Sequence, residues 1–506
     1  MAKKIKKERV NSMKRSKKLI ISLVAVFAVI AVLATGLGLH FGYNGNLDFV
    51  QTNETMNTNG QPLKVAIISD LQLPDSKDKT THQYESFEKT LTMLKERDPD
   101  VLLIAGDFTD LATKDAWNTY KEIYDRVLGD DAPILMTIMG NHDYWLPYFV
   151  DCGEVGTPVS LQKRYTSYTG QPVYSNHEIN GYHFICWSSS NGTYDTSYEN
   201  LDQVRTEIEN AIAEDPTKPV FVITHLNPSD TSYGSDDWGN DDINELLKNY
   251  PQVISISAHS HYSLIDERAI WQDTYTAFTT QSLDYIELES GKFNGSIPKD
   301  AYGRNIAESV PACLFMSVED GKVTVERLEA NTGKALKGPW VIEAPFTSPD
   351  KYTTEKRKAA NTAPTLDGSL TAQISQITDI DGKTRSAISF KAGTDDDFVH
   401  SYRLRFLDEN KMPISFAQTD YSGNVMHYND DGDKISVDSK DYESGKEKQI
   451  DSLLYFSDFV LGLDNMAENA LLRLPDNMPE STKYVEITAI DSWGAESNSV
   501  VCEIGE

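Results

Sequence analysis

The chain has 506 residues, 39% of them apolar, with 77 acidic against 47 basic side chains and a formal charge of −30. That is enough apolar material for two or three domains with real cores, which excludes disorder as the main state. The acidic excess disfavours nonspecific binding to nucleic acid or anionic lipid, and no nucleic-acid-binding surface is expected.

In chain order, residues 1–18 hold nine Lys or Arg against one Glu, and residues 19–39 run for 21 positions without a charge. At about 1.5 Å per residue, such a helix crosses a hydrocarbon core of about 30 Å. The expectation is a basic cytoplasmic tail over 1–18 and a transmembrane anchor or signal segment over 19–41. The length of the apolar run favours an uncleaved anchor over a cleaved signal peptide. The basic flank then predicts a single-pass cell-membrane protein with the remainder outside the cytoplasm. Without the tail the chain carries 38 basic and 76 acidic residues, a formal charge of −38.

Residues 42–61 are polar and read as a stalk. Over 62–338, short apolar runs alternate with helical periodicity. Leu63–Ser69, Val101–Ala105, Ile134–Met139, Val220–Thr224 and Val253–Ser257 have the form of buried strands. Between them Tyr84, Phe87, Leu91 and Leu94 repeat at helical spacing, as do Trp117, Tyr120, Tyr124 and Val127, then Leu201, Val204, Ile208 and Ile212. That alternation predicts a layered α/β domain. Residues 339–363 lack a period and read as a linker. From 364 to 506 the apolar period becomes two, as in Tyr402, Leu404, Phe406 and Val485, Ile487, Ala489, which predicts an all-β domain. Its end, Tyr484 to Val500, resembles the last hairpin of a fibronectin type III-like β-sandwich, with an insertion implied around residues 421–470. Cys152, Cys186, Cys313 and Cys502 show no Cys-x-x-Cys spacing. A Cys152–Cys186 bridge and buried free thiols are both open readings.

Polar groups able to bind metal follow almost every strand of the α/β region. Asp70 and Gln72 follow the first, Asp107 and Asp110 the second, and Asn141, His142 and Asp143 the third. His225, then His259 with His261, follow the last two. Each alone reads as a turn, cap or hydrogen-bonded residue. Their recurrence at five strand tips, where α/β sheets bind ligands, does not. Carboxylate, amide and imidazole donors without thiolate suit Mn, Fe or Zn, and two adjacent cations need a bridging carboxylate to offset their repulsion.

The segments "SDLQ", "GDFTD", "GNHD", "THLNP" and "AHSH" resemble, in this order, the motif series of the calcineurin-like metallophosphoesterases. The resemblance runs from about Lys64 to Tyr262 and implies a layered sandwich of mixed sheets flanked by helices. It further implies a metal-dependent phosphatase or phosphodiesterase with two divalent or mixed-valence transition metal ions and a metal-bound hydroxide as nucleophile. Asp70, Gln72, Asp107 and His261 would hold one ion, and Asp107 would bridge to a second held by Asn141, His225 and His259. His142 would act on the leaving-group oxygen or the phosphoryl charge, oriented by Asp110, while Asp143 would stabilise its loop. Gln72 stands where the family commonly has His, and Ala258 replaces the usual Gly before His-x-His. Leu-Ala after Asp110, where Arg-Gly would stand in the Ser/Thr protein phosphatases, argues against that branch.

The aromatic segment Tyr144–Thr169 is a candidate substrate cap in which Trp145, Tyr148 and Tyr165 have faces suited to a base or sugar. Tyr428–Lys434 and Asp395–Asp397 read as solvated acidic turns. The function expected is membrane-anchored extracellular hydrolysis of a phosphorylated small molecule, lipid headgroup or cell-wall polymer, with glycan or protein contact through the β domain. The competing reading is a catalytically silent surface binding protein on the same scaffold, distinguished by its metal content.

Overall fold

The structure is a computed structural model. It describes residues 49–504 apart from 57, 59, 147–153, 155, 193–196, 288, 290–309, 379–381, 420–423, 429–433, 436–448 and 458–467. Among the described residues no helix is long and apolar enough to cross a membrane. The run 19–39, on which the anchor was expected, lies outside the described residues. The expectation of a membrane-anchored, outward-facing protein is corrected accordingly and forms no part of the function assigned below.

From Val50 onward the chain forms one compact unit. Two mixed sheets face each other across its principal core. One sheet runs Ala335–Glu343, Lys322–Glu329, Ala312–Glu319, Leu63–Ile68, Val101–Ile104, Ile134–Thr137. The other runs Val50–Glu54, Tyr174–Ile179, Tyr182–Trp187, Val220–Ile223, Val253–Ser257, Thr276–Thr279, Ile270–Gln272. Val65, Ile67, Leu103, Met136 and Leu314 of the first sheet meet Phe184, Phe221, Ile223, Ile256 and Phe278 of the second in one buried cluster. Each such side chain contributes about 1.5–3 kcal/mol on burial.

The helices form where the periodicity placed them. His82–Glu96 buries Phe87, Leu91 and Leu94, and the Thr81 side chain caps it by accepting from the Tyr84 amide. Lys114–Val127 buries Trp117 and Tyr120 and is capped by Thr113. That cap sits six residues beyond Asp107, so the loop bearing the acidic motif runs directly into a rigid helix.

Two boundaries differ from the sequence reading. Within the expected stalk, Val50–Glu54 pairs in parallel with Tyr174–Ile179. Within the expected linker, the strand Ala335–Glu343 completes a sheet edge and Thr354–Ala360 is a helix. Val50–Glu54 and Ala335–Glu343 are the outermost strands of their sheets and largely exposed, which hides them from a search for buried apolar runs. Cys186, Cys313 and Cys502 are free and buried, so the bridge to Cys186 does not form; Cys152 lies outside the described residues.

The C-terminal part has two antiparallel sheets, Ala372–Thr378, Thr384–Lys391, Asn469–Arg473 and Ser452–Phe456, Val399–Leu407, Tyr484–Asp491, Val500–Glu503. Ile388, Phe390, Leu404, Phe406, Leu472 and Ile487 fill the space between them. The final hairpin pairs Tyr484 with Glu503. Most of the insertion expected around 421–470 lies outside the described residues, as does part of Tyr428–Lys434.

Candidate metal centre

The carboxyl ends of strands from both sheets converge on one spot. The first sheet supplies Asp70, Gln72, Asp107 and Asn141; the second supplies His225, His259 and His261. Asp70 Oδ1 lies 3.2 Å from His261 Nε2 and 3.9 Å from His225 Nε2. Asp107 Oδ2 lies 3.1 Å from His225 Nε2, and the side-chain oxygen of Asn141 lies 3.1 Å from the same nitrogen. Asp107, His225 and His259 each offer a donor atom within 4.8 Å of the others. Gln72 stands between His142 and His261, its amide nitrogen 3.3 and 3.5 Å from their Nε2 atoms.

The backbone makes this convergence possible at the cost of strain. Asp70, Gln72, Asp107, His259 and His261 all have left-handed φ, between 42° and 66°. Non-glycine residues adopt that region rarely, and such positions cluster at functional sites. Ala258 is not among them, so the histidines bear the strain and alanine is tolerated where glycine is usual. Two glycines allow the close approach. A Cβ on Gly106, whose φ is +94°, would lie 2.6 Å from His225 Nδ1, and one on Gly140 would collide with the Asp107 carboxylate.

Hydrogen bonds set the ring orientations. His225 Nδ1 donates to the Ala105 carbonyl at 2.9 Å and His261 Nδ1 to the Tyr285 carbonyl at 3.2 Å. In both rings Nε2 is thereby left facing the carboxylates, the arrangement that a metal-ligating histidine requires. Asp143 is buried and accepts from the Thr109 amide and hydroxyl at 3.2 and 3.1 Å and from the Gly140 amide at 3.1 Å. It ties two motif loops together.

The buried carboxylates and imidazoles set one another's charge. Burial opposes ionisation of Asp70 and Asp107, yet His261 and His225 beside Asp70, and His225 and His142 beside Asp107, hold both carboxyls below the usual range. Against burial, Asp107 raises His225 to about 9. Burial, with the Asp107 charge adding to it, raises Asp143 to about 7. Burial and the His225 charge lower His259 to about 3. Gln72 Oε1 is buried without a hydrogen-bond partner, while Asp70 Oδ1 and Asp107 Oδ2 are buried facing the Nε2 atoms of His261 and His225. Two buried carboxylates and several imidazole nitrogens turned on one another fit hard-to-borderline divalent cations.

His142 stands at the edge of this cluster, its side chain 12% exposed and its Nε2 4.0 Å from Asp107 Oδ2. Its Nδ1 lies 2.9 Å from the Asp110 carbonyl oxygen and 3.5 Å from the Asp110 carboxylate. The orienting bond from Asp110 therefore comes first from its backbone and only then from the side chain. Against burial, the charges of Asp107 and Asp110 raise the His142 ring above its ordinary range.

Three aromatic rings stand beside this polar set. Trp145 stacks on His142 with ring centroids 3.6 Å apart. Trp238 meets His259 edge-on at 5.6 Å, and Tyr285 is tilted against His261 at 4.3 Å. Trp238 and Tyr285 escaped sequence reasoning because no motif surrounds them. Of the expected cap, Tyr165 is core, packed against Phe108 and Trp117 and hydrogen-bonded to Thr137. Tyr148 lies outside the described residues. A separate group, Glu178, His183 and Glu214, lies on the strands Tyr174–Ile179 and Tyr182–Trp187 and the end of the helix Leu201–Glu214, and includes none of the expected ligands.

Residues 63–263 match the family model described as calcineurin-like phosphoesterase. No curated protein matches the chain. Among solved structures, one similar chain is a conserved uncharacterized protein (predicted phosphoesterase) from Streptococcus pneumoniae TIGR4. It is 9% identical, with 56% of this chain and 97% of that chain covered at a TM-score of 0.26. Another is vacuolar protein sorting 29 from Cryptosporidium parvum, 11% identical, with 56% and 99% covered at a TM-score of 0.28. At these scores neither likeness carries an argument of its own. The family match and the donor cluster together define a calcineurin-like metallophosphoesterase domain, and the protein is a metal-dependent phosphoesterase.

Proposed function

We propose that the centre takes two transition metal ions and hydrolyses phosphate monoesters or diesters, with the convergence of the buried carboxylates of Asp70 and Asp107 on the imidazoles of His225, His259 and His261 as the observation that carries this reading. Asp70, Gln72 and His261 would hold one ion, Asn141, His225 and His259 the other, and Asp107 would lie between them. When bound, such a pair polarises a phosphoryl group and lowers the pKa of bound water. Asp107 also fixes the start of the catalytic loop, since its Oδ1 accepts the His142 amide at 2.9 Å. His142 holds its proton at Nε2 towards the site because Nδ1 donates to Asp110, and that proton is available to the departing alkoxide. Asp143 and the Gly140 amide keep the loop closed. The two antiparallel C-terminal sheets support a fibronectin type III-like reading of that part.

Hydrolysis of aryl phosphate monoesters and diesters by metal-loaded protein tests this reading, with Asp107→Asn and His142→Ala beside it. Each variant should lower kcat at least about 100-fold in folded protein. Wild-type turnover in either would remove the role assigned to that residue.

A further inference from the structure

The C-terminal sandwich does more than sit beside the catalytic unit. His400, 4% exposed on the strand Val399–Leu407, enters a buried polar group belonging to the α/β part. Its Nε2 lies 3.2 Å from Tyr233 Oη and 3.2 Å from the Arg268 guanidinium. Arg268 is in turn paired with Asp266 at 2.7 Å and Glu289 at 3.1 Å, and its guanidinium lies 4.0 Å over the Tyr233 ring. These groups border a cleft of about 730 Å³ lined by both parts of the chain.

From Tyr233 the contacts continue to the metal centre. The Tyr233 ring packs against Tyr262 with centroids 4.5 Å apart, and Tyr262 directly follows His261. Tyr262 Oη donates to Asp237 at 2.6 Å, and the next residue, Trp238, is the one that meets His259. Gly234 lies so close to the His-x-His loop that a Cβ there would stand 2.5 Å from Ser260 Cβ. The segment 232–238 is thus clamped between the sandwich on one side and the His259–His261 loop on the other. That loop is under backbone strain, with φ of 66° and 54° at its two histidines. Strained conformations persist only where the surroundings over-determine them.

We propose that His400 is a positioning residue for the metal centre, acting through Tyr233 and Tyr262 to hold His259 and His261 in ligating geometry. The sandwich is then a structural part of the catalytic unit. This inference rests on the reading of those two histidines as ligands.

The test uses full-length protein stripped of metal and titrated with Co²⁺ alone, following its d–d absorption. His400→Ala should shift the band and weaken Co²⁺ binding by about 10-fold, the lower end for groups supporting metal ligands. His400→Gln should recover part of the loss. Tyr233→Phe keeps the ring on Tyr262 but removes the hydroxyl, so it should reproduce the His400→Ala effect, and the double variant should add nothing further. Leu471→Ser, at a site 47% exposed on the same sandwich, should leave band and affinity unchanged. Unaltered band and affinity in folded His400→Ala, or simple addition in the double variant, would overturn the proposal. Should His400→Ala not fold, wild-type behaviour of both His400→Gln and Tyr233→Phe overturns it equally. A wild-type protein that binds no Co²⁺ sinks the ligand assignment and this inference with it, whereas metal binding without relay effects sinks this inference alone.

Discussion

Replacing Trp145 by alanine removes the flat surface on which His142 rests. The two rings lie 3.6 Å apart at an interplanar angle of 29°, and the indole nitrogen is anchored by donation to the Gly192 carbonyl at 3.0 Å. An aromatic pair contributes about 0.5–1.5 kcal/mol beyond burial, and a cation over an indole face up to about 2 kcal/mol when desolvated. His142 is charged as it donates, so the loss should fall between about 1 and 2 kcal/mol of transition-state stabilisation. At about 1.4 kcal/mol per tenfold, that is about a 5- to 30-fold drop in kcat. Trp145→Phe keeps a stacking face and loses only the indole donor, so it should retain most of the turnover. The assay is steady-state hydrolysis of aryl monoester and diester at saturating metal, with metal content measured in each variant. A Trp145→Ala protein that loses affinity for substrate while keeping kcat would show that the indole serves substrate binding, and the positioning argument would fail.

Further outcomes follow from the same centre. Gly140→Ala should cost at least about 100-fold in activity with the fold intact, because the new Cβ displaces the Asp107 carboxylate; near-normal turnover would show that this approach is not required. The metal-free protein should melt at lower temperature as pH rises from about 7 through 9. His225 is raised to about 9 in the folded state, so its stabilising contribution is complete below its unfolded value of about 6.5 and is lost as pH rises. Asp143, an acid raised to about 7, loses its contribution earlier, between its unfolded value of about 4 and pH 7, and adds little above that. Saturating metal should flatten that dependence, since ligation needs neutral His225; a metal-free melting temperature that climbs over this range would contradict the charge assignment. Asp143→Ala should destabilise the protein by about 1–3 kcal/mol, because it leaves the buried amides of Thr109 and Gly140 without their acceptor. Denaturant melts unchanged by that substitution would refute it.

The local frame of the α/β part was legible in the string of residues. Apolar runs of strand length, each ending in a polar motif, were enough to place Asp70, Asp107, Asn141, His225 and His261 at strand tips, because strand burial and tip exposure are written in residue type. The helices that bury Phe87 and Trp117 were legible for a similar reason: the spacing of apolar residues is local. That these tips belong to two facing sheets was not legible, because which strands pair depends on contacts between residues far apart in the chain. The strand Ala312–Glu319, which pairs with Leu63–Ile68, comes nearly 250 positions later. The same limit hid Trp238, Tyr285 and His400, none of which carries a local pattern. Tyr165 shows the converse. Its aromatic face looked available in the sequence, but packing against Phe108 and Trp117 consumes it. Donor chemistry resides in side-chain type and survives translation into a string, whereas what surrounds a donor is fixed by non-local packing and does not.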